Sequence, residues 1–142
     1  MKWIWMLIRS AWVLPTTSVG LFIGLMCTPL GARWRIRRGV LECYGGLVAY
    51  LLEHATLLEG GADAMTLGEV ILGRTPEALD LVREHEHVHV RQARKWGAFF
   101  IPAYVGCSAW LYLRGRDAYR DNPFEVEAFK VDVAAEDTPM PG

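Results

Sequence analysis

The sequence predicts an α+β domain behind a hydrophobic N-terminal segment. Three observations carry the prediction. Residues 10–32 hold no charged side chain. Residues 33–38 alternate arginine with apolar residues, which is the period of a strand. Residues 75–97 open on Thr-Pro-Glu and close on glycine, the start and stop signals of a helix. A chain of 142 residues suits one domain. We place the hydrophobic segment at 1–32, the domain at 33–133 and a flexible tail at 134–142.

Residues 10–32 are long enough for a transmembrane helix, since a bilayer core needs about 20 apolar residues. Pro15, the Thr16-Thr17-Ser18 patch and Pro29 interrupt the run, so a hydrophobic hairpin or a buried helix pair stands beside the membrane reading. Arg9 breaks the early apolar stretch and no small-x-small cleavage site follows, which argues against a signal peptide.

Next, Trp34 and Ile36 alternate with arginines, and Gly39 and Gly45-Gly46 are turn candidates, so a hairpin or short meander is expected over 33–53. Residues 54–63, with Gly60-Gly61, read as a loop. Residues 64–73 read as one short strand ending on Val70, Ile71 and Leu72. Thr75 caps a helix, Pro76 fits its first turn and Glu77 favours the positive end of its dipole. That helix runs to about Trp96. A second covers much of 98–113 and Gly115 closes it. Asn122 and Pro123 start a third, which carries Glu125, Glu127, Ala128 and Phe129.

Apolar residues make up 52% and charged residues 22%, hydrophobic for a soluble domain without being uniformly membrane-like. The net charge of −1 gives no nucleic-acid footprint. The one basic run, Arg33, Arg35, Arg37 and Arg38, has no nucleic-acid motif around it and reads as a solvated strand face or a membrane flank. Cys27, Cys43 and Cys107 lie far apart with no CxxC pair, which argues against a disulfide framework or a cysteine zinc site.

The chemistry lies in Glu-His-Glu-His-Val-His-Val-Arg-Gln, residues 84–92. His85-Glu86-His87-Val88-His89 matches H-E-x-x-H. On a helix, positions i and i+4 share a face, so His85 and His89 can grip one cation while Glu86 points at a water beside it. The three histidines at 85, 87 and 89 would also line one side of a strand. The Thr-Pro-Glu start and the helix-favouring residues on both sides select the helix, which turns His87 away. A catalytic zinc site has three protein ligands and one open position. His54 lacks any companion motif, and the pattern H-E-x-x-H-x-x-G-x-x-H is absent. The third ligand is then a carboxylate from a later helix, Glu125 or Glu127.

These residues resemble the gluzincin branch of the zincin metallopeptidases, in which an H-E-x-x-H helix is joined by a glutamate from a downstream helix. Some membrane-associated members place that glutamate in E-x-x-A-D. Glu125-Val126-Glu127-Ala128-Phe129 matches up to the alanine, so the resemblance selects Glu125. Phe129 replaces the aspartate that supports a ligand histidine in that pattern, leaving that support unassigned. The chain is also similar to bacterial proteins with an H-E-x-x-H-V-x-Q helix and a later N-P-F-E segment. The likeness covers about residues 64–130. It implies a minimal zincin-like fold, with a short antiparallel sheet or hairpin packed on the H-E-x-x-H helix. It implies a Zn2+ cofactor held by His85, His89 and Glu125, Glu86 as general base, and hydrolysis of a peptide or protein substrate. It also points to Tyr119 as a donor to the oxyanion, against the plainer reading of a packing tyrosine, and to the 64–73 strand as an edge that pairs with extended substrate.

Residues 96–113 are also uncharged and just reach spanning length. A span there would put Glu125 across the bilayer from His85, so the metal reading requires a buried or interfacial helix instead. With at most one span at 10–32, the arginines that follow it place the metal-binding part in the cytoplasm. Two further readings stand beside the peptidase: a non-catalytic metal-binding or scaffolding protein, and a small membrane protein whose histidines hold no metal.

Overall fold

The computed structural model describes residues 1–137. Along the chain come α1 (Lys2–Cys27), β1 (Arg33–Arg37), β2 (Val40–Tyr44), α2 (Gly46–His54), β3 (Ala64–Leu67), β4 (Val70–Gly73), α3 (Pro76–Trp96), α4 (Phe100–Leu113) and α5 (Pro123–Glu136), with 3-10 turns at Thr28–Leu30 and Gly97–Phe99. The fold is α+β with an N-terminal apolar helix.

The strands form one sheet in the order β1-β2-β4-β3. Two antiparallel hairpins, β1–β2 and β3–β4, are joined by a parallel pairing of β2 with β4. The sheet is therefore mixed, where the sequence reading expected an antiparallel one. A parallel pair needs a crossover of about a dozen residues or more. Here α2 and the loop after it supply the crossover, and α2 is the element the sequence reading missed. Gly45-Gly46 reads as a turn, yet Gly46 opens a helix at φ 51°, and a Cβ there would lie 2.4 Å from the Gly31 carbonyl carbon. The glycine answers to that close approach rather than to a hairpin. Residues 64–73 likewise form two strands, folded at Gly68 with φ 65°.

Strand alternation gives the sheet two apolar faces. Cys43, Val70 and Leu72 meet Cys27 of α1 and Val48 and Leu52 of α2. On the other face Val40 and Ile71 meet Leu79 and Val90 of α3. The sheet thus lies between α1 and α2 on one side and α3 on the other. Residues 2–12 of α1 are exposed, whereas Val13, Thr16, Gly20, Gly24 and Cys27 are buried. The second half of α1 therefore belongs to the core built by 33–133, and the segment is one helix rather than a hairpin. A Cβ at Gly24 would come within 2.4 Å of the Trp34 ring, so only glycine lets α1 sit this close. Two stretches, Lys2–Leu30 and Pro76–Leu113, are long and apolar enough to cross a membrane by length and composition. The helix α5 continues through Glu136, so the first residues of the expected tail are helical. Residues 138–142 lie outside the described residues.

One row of side chains crosses the sheet beneath α3. Arg35 pairs with Glu42, Glu42 with Ile71, and Ile71 with Thr66. Glu42 is fully buried and accepts from Arg35 Nε at 2.6 Å and from Arg83 Nε of α3 at 3.0 Å. Asp80 of α3 accepts from both guanidiniums, and Arg38 pairs with Glu84. The arginine run is thus not only a solvated face: Arg35 and Arg38 fasten the sheet to the helix that carries the histidines. Removing the shared carboxylate leaves two part-buried guanidiniums with only the exposed Asp80 as counter-charge. We expect Glu42→Ala to cost about 3 kcal/mol in urea unfolding, against less than about 0.5 kcal/mol for the exposed Arg37→Ala.

Candidate metal centre

Thr75 starts α3 as read from the sequence, its hydroxyl accepting from the Ala78 N–H at 3.0 Å, and Gly97 ends it. Within α3 the spacing of four brings His85 and His89 to one face, their Nε2 atoms 3.3 Å apart. The α5 helix delivers Glu125 to the same point. Its Oε2 lies 3.0 Å from His85 Nε2 and its Oε1 3.3 Å from His89 Nε2. All three residues are buried, and together they form a group that can hold a metal ion. The fit can be tested by size. Ligands at 2.0–2.1 Å from a tetrahedral zinc ion are separated by about 3.3 Å. The His85–His89 edge matches that spacing, and a different Glu125 oxygen lies near each imidazole, so the group is compact enough to close on one ion.

The other nitrogen of each histidine is also committed. His85 Nδ1 donates to Asp132 Oδ2 at 2.8 Å, and His89 Nδ1 donates to Gln92 Oε1 at 2.9 Å. The amide orientation of Gln92 is set by its own donor, which reaches Phe124 O at 3.0 Å and Glu127 Oε2 at 2.9 Å. Both imidazoles are thereby turned with Nε2 toward the centre, the arrangement that fixes tautomer and ring direction in metal sites. Glu125 is steadied by Tyr104, whose hydroxyl donates to Oε1 at 2.6 Å. Asn122 sets where α5 begins. Its Oδ1 accepts from the Phe124 N–H at 3.0 Å, while its Nδ2 donates to Tyr104 O at 3.0 Å and Ser108 Oγ at 2.8 Å, tying α4 to α5.

Glu86 is buried beside the trio and accepts from Thr66 Oγ1 on β3 at 2.7 Å. Glu127 stands outside the donor cluster and serves Gln92 instead. Tyr119 is half-buried, its ring edge-on to Phe129 at 5.8 Å. His87 is turned away, as its place on the helix demands, and burial pushes its imidazole down. His54 sits at the end of α2, stacked on Tyr50.

Four residues of the arrangement escape the sequence reading. Asp132 fills the support that Phe129 left open. It lies seven residues after Glu125 and so on the same helix face, while the Phe129 ring packs on His85 with centroids 5.0 Å apart. Gln92, three residues after His89, had the same kind of local signal. Tyr104 and Thr66 had none, since they arrive through tertiary packing. The helix α4 does not separate the ligands, because it returns the chain to the side of His85.

Burial alone would lower the His85 pKa, but the hydrogen bonds to Glu125 and Asp132 outweigh it and raise it to about 9. Burial would likewise raise Glu125, but His85 and His89 hold it down at about 2. His89 is raised through Glu125 against its burial, and Glu86 is raised by burial. Burial and then the Glu125 charge push the Tyr119 phenol up, and burial and the Glu125 hydrogen bond do the same to Tyr104. Both phenols therefore stay protonated as donors.

Comparison of the chain with protein-family models, curated proteins and solved structures finds no match.

The two shifts set a pH window. A histidine raised from 6.5 to about 9 stabilises the fold fully below 6.5 and loses that effect as pH climbs through 9. A carboxylate lowered from 4.5 to about 2 stabilises above 4.5 and loses it as pH falls through 2. In chelator, this pair's contribution to the melting temperature is expected to be greatest between pH 4.5 and 6.5. An ion needs His85 neutral, so the rise in melting temperature on adding zinc should grow from pH 6 toward pH 9. Melts with and without zinc across that range check both trends.

Proposed function

We propose that the chain is a zinc-dependent peptidase of the zincin type, with His85, His89 and Glu125 as metal ligands and Glu86 as general base. The observation that carries this reading is the buried cluster of His85, His89 and Glu125, whose donor atoms lie within 4.8 Å of one another, with the buried Glu86 carboxylate next to it. Both histidines and that carboxylate come from the one H-E-x-x-H segment. Zinc, when bound, supplies Lewis acidity that brings the pKa of a water molecule to near 7.

The chain's own residues would do the rest. Asp132 and Gln92 hold the imidazoles, and Tyr104 orients Glu125. Glu86, with its proton affinity raised by burial, takes the proton of the attacking water and returns it to the leaving amine. Thr66 holds the Glu86 carboxylate in place. Tyr119 lies near enough to feel the Glu125 and Glu86 charges and is our candidate donor to the oxyanion. The strand β3 is outermost in the sheet and carries Thr66, so its free edge offers backbone pairing to an extended peptide beside the centre. We place the protein at a membrane through α1, with the metal centre on the cytoplasmic side. A second reading, a metal-binding protein without catalysis, is favoured by one observation: His85, Glu86, His89 and Glu125 are each less than a tenth exposed.

Two variants separate these readings. Glu86→Gln is expected to keep one zinc per chain by elemental analysis and to lose hydrolysis of unstructured protein substrate by about 10²–10⁴-fold. Full zinc with no hydrolysis in either form would select the non-catalytic reading. Asp132→Asn is expected to weaken zinc affinity by about 10–100-fold in a competition with a chromogenic chelator. Unchanged affinity would remove Asp132 as the support of His85.

A further inference from the structure

We propose that α1 does not cross the bilayer but lies along one leaflet, with a four-cation cluster at its N-terminal half seated on anionic lipid headgroups. The inference rests only on the membrane association proposed above, not on the peptidase reading.

Two rows on α1 carry it. The buried stripe Val13, Thr16, Gly20, Gly24 and Cys27 faces the sheet. Extended backwards at the same helical spacing, that stripe meets Arg9 and then Lys2, the only charged residues of the helix. The opposite side carries Ile4, Leu7, Leu14, Phe22, Leu25 and Met26, all more than half exposed. An apolar face interrupted only by Ser18, with both charges in line with the buried stripe, fits a helix lying in the interface. A spanning helix has no need of such sidedness.

The charge pattern beside it is complementary to phospholipid. Arg9 lines one depression with Arg91, Arg94 and Lys95 from the last turns of α3. Arg94 is held by Glu69 at 2.6 Å, but Arg9, Arg91 and Lys95 have no ion pair among the described residues. Trp12 joins the two helices here: its indole N–H donates to Lys95 O at 3.4 Å and its ring lies 5.7 Å from Phe99, itself exposed. Cations and interfacial aromatics therefore meet at one level, where headgroups and acyl chains would meet.

A span over 10–32 is disfavoured by what α1 is docked to. The Glu69 N–H donates to Thr17 Oγ1 at 3.1 Å, so the Glu69–Arg94 ion pair sits alongside residue 17. Spanning would carry this pair, about one third exposed, into hydrocarbon.

The test uses the full chain on vesicles. Spin labels placed one at a time at residues 4, 14, 22 and 25 as cysteines, in a Cys107→Ser background, report depth. The expected result is one shallow depth for all four, about 5–10 Å below the headgroup boundary. A depth maximum at the middle labels overturns the in-plane arrangement and leaves the membrane association standing. Labels shielded in a water-soluble dimer make a second copy the occupant and overturn it too. No binding to any vesicle removes the membrane association itself. Arg91→Ala/Lys95→Ala is expected to bind phosphatidylglycerol vesicles about 30-fold more weakly while binding to neutral vesicles is unchanged. Equal affinity of variant and wild type for the anionic vesicles overturns the headgroup site.

Discussion

A single helix has to be held at a fixed height and rotation over a four-stranded sheet, and everything at the candidate metal centre depends on that. The grip comes from the row of residues that register places side by side across the strands. At one end, Glu42 and Arg35 lock onto Arg83 and Asp80. At the other, Thr66 takes the Glu86 carboxylate. In the middle, Ile71 is fully buried. A slip of one residue in any strand would send its member of the row to the opposite face. The parallel β2–β4 pairing, unremarked in the sequence, is therefore what lets a charge lock on one hairpin and a carboxylate clamp on the other act on the same helix.

The polar interior over α3 is costly unless every group finds a partner. At the His85–His89 cluster the accounting closes among a few side chains, whereas His87 Nε2 is buried without a hydrogen-bond partner. His85 and His89 each spend one nitrogen on an oxygen acceptor and turn the other to Glu125, while Glu125 is steadied by Tyr104. With no ion between them, the same atoms pair as imidazolium and carboxylate. Were a cation held there, the site could lose it without leaving bare charges in the core. It could then refill without rebuilding its walls.

Much of this was readable in advance where the information is local. Thr75-Pro76, Gly97 and Asn122-Pro123 mark helix ends by their own chemistry, and the spacing of His85 and His89 is a property of any α-helix. The choice between Glu125 and Glu127 was not local in the same way. It depends on the rotation of α5, which Asn122 fixes through contacts with Tyr104 and Ser108. The missed helix α2 shows a different limit. An apolar run from 47 to 52 fits strand or helix equally well, and only the need for a crossover between β2 and β4 decides. Thr66 and Tyr104 come from elements 20 and 21 residues away from the groups they serve, and nothing in their neighbourhoods marks them.

Two residues of α5 reach the same histidine, Glu125 from 40 positions away and Asp132 from 47. The contact closes a long loop that contains all of α4, and such closure costs roughly 3 kcal/mol of chain entropy. A cation bound there would act as a rivet between the last third of the polypeptide and the part that already has a sheet to lean on. The two portions need not then melt together. With the rivet absent, α4 and α5 are held by the bonds of Glu125 and Asp132 to His85 and by the Val13, Ala93, Phe100 and Phe124 cluster. A metal's first service to this molecule would then be architectural, holding its C-terminal helices over the place where the ion would sit.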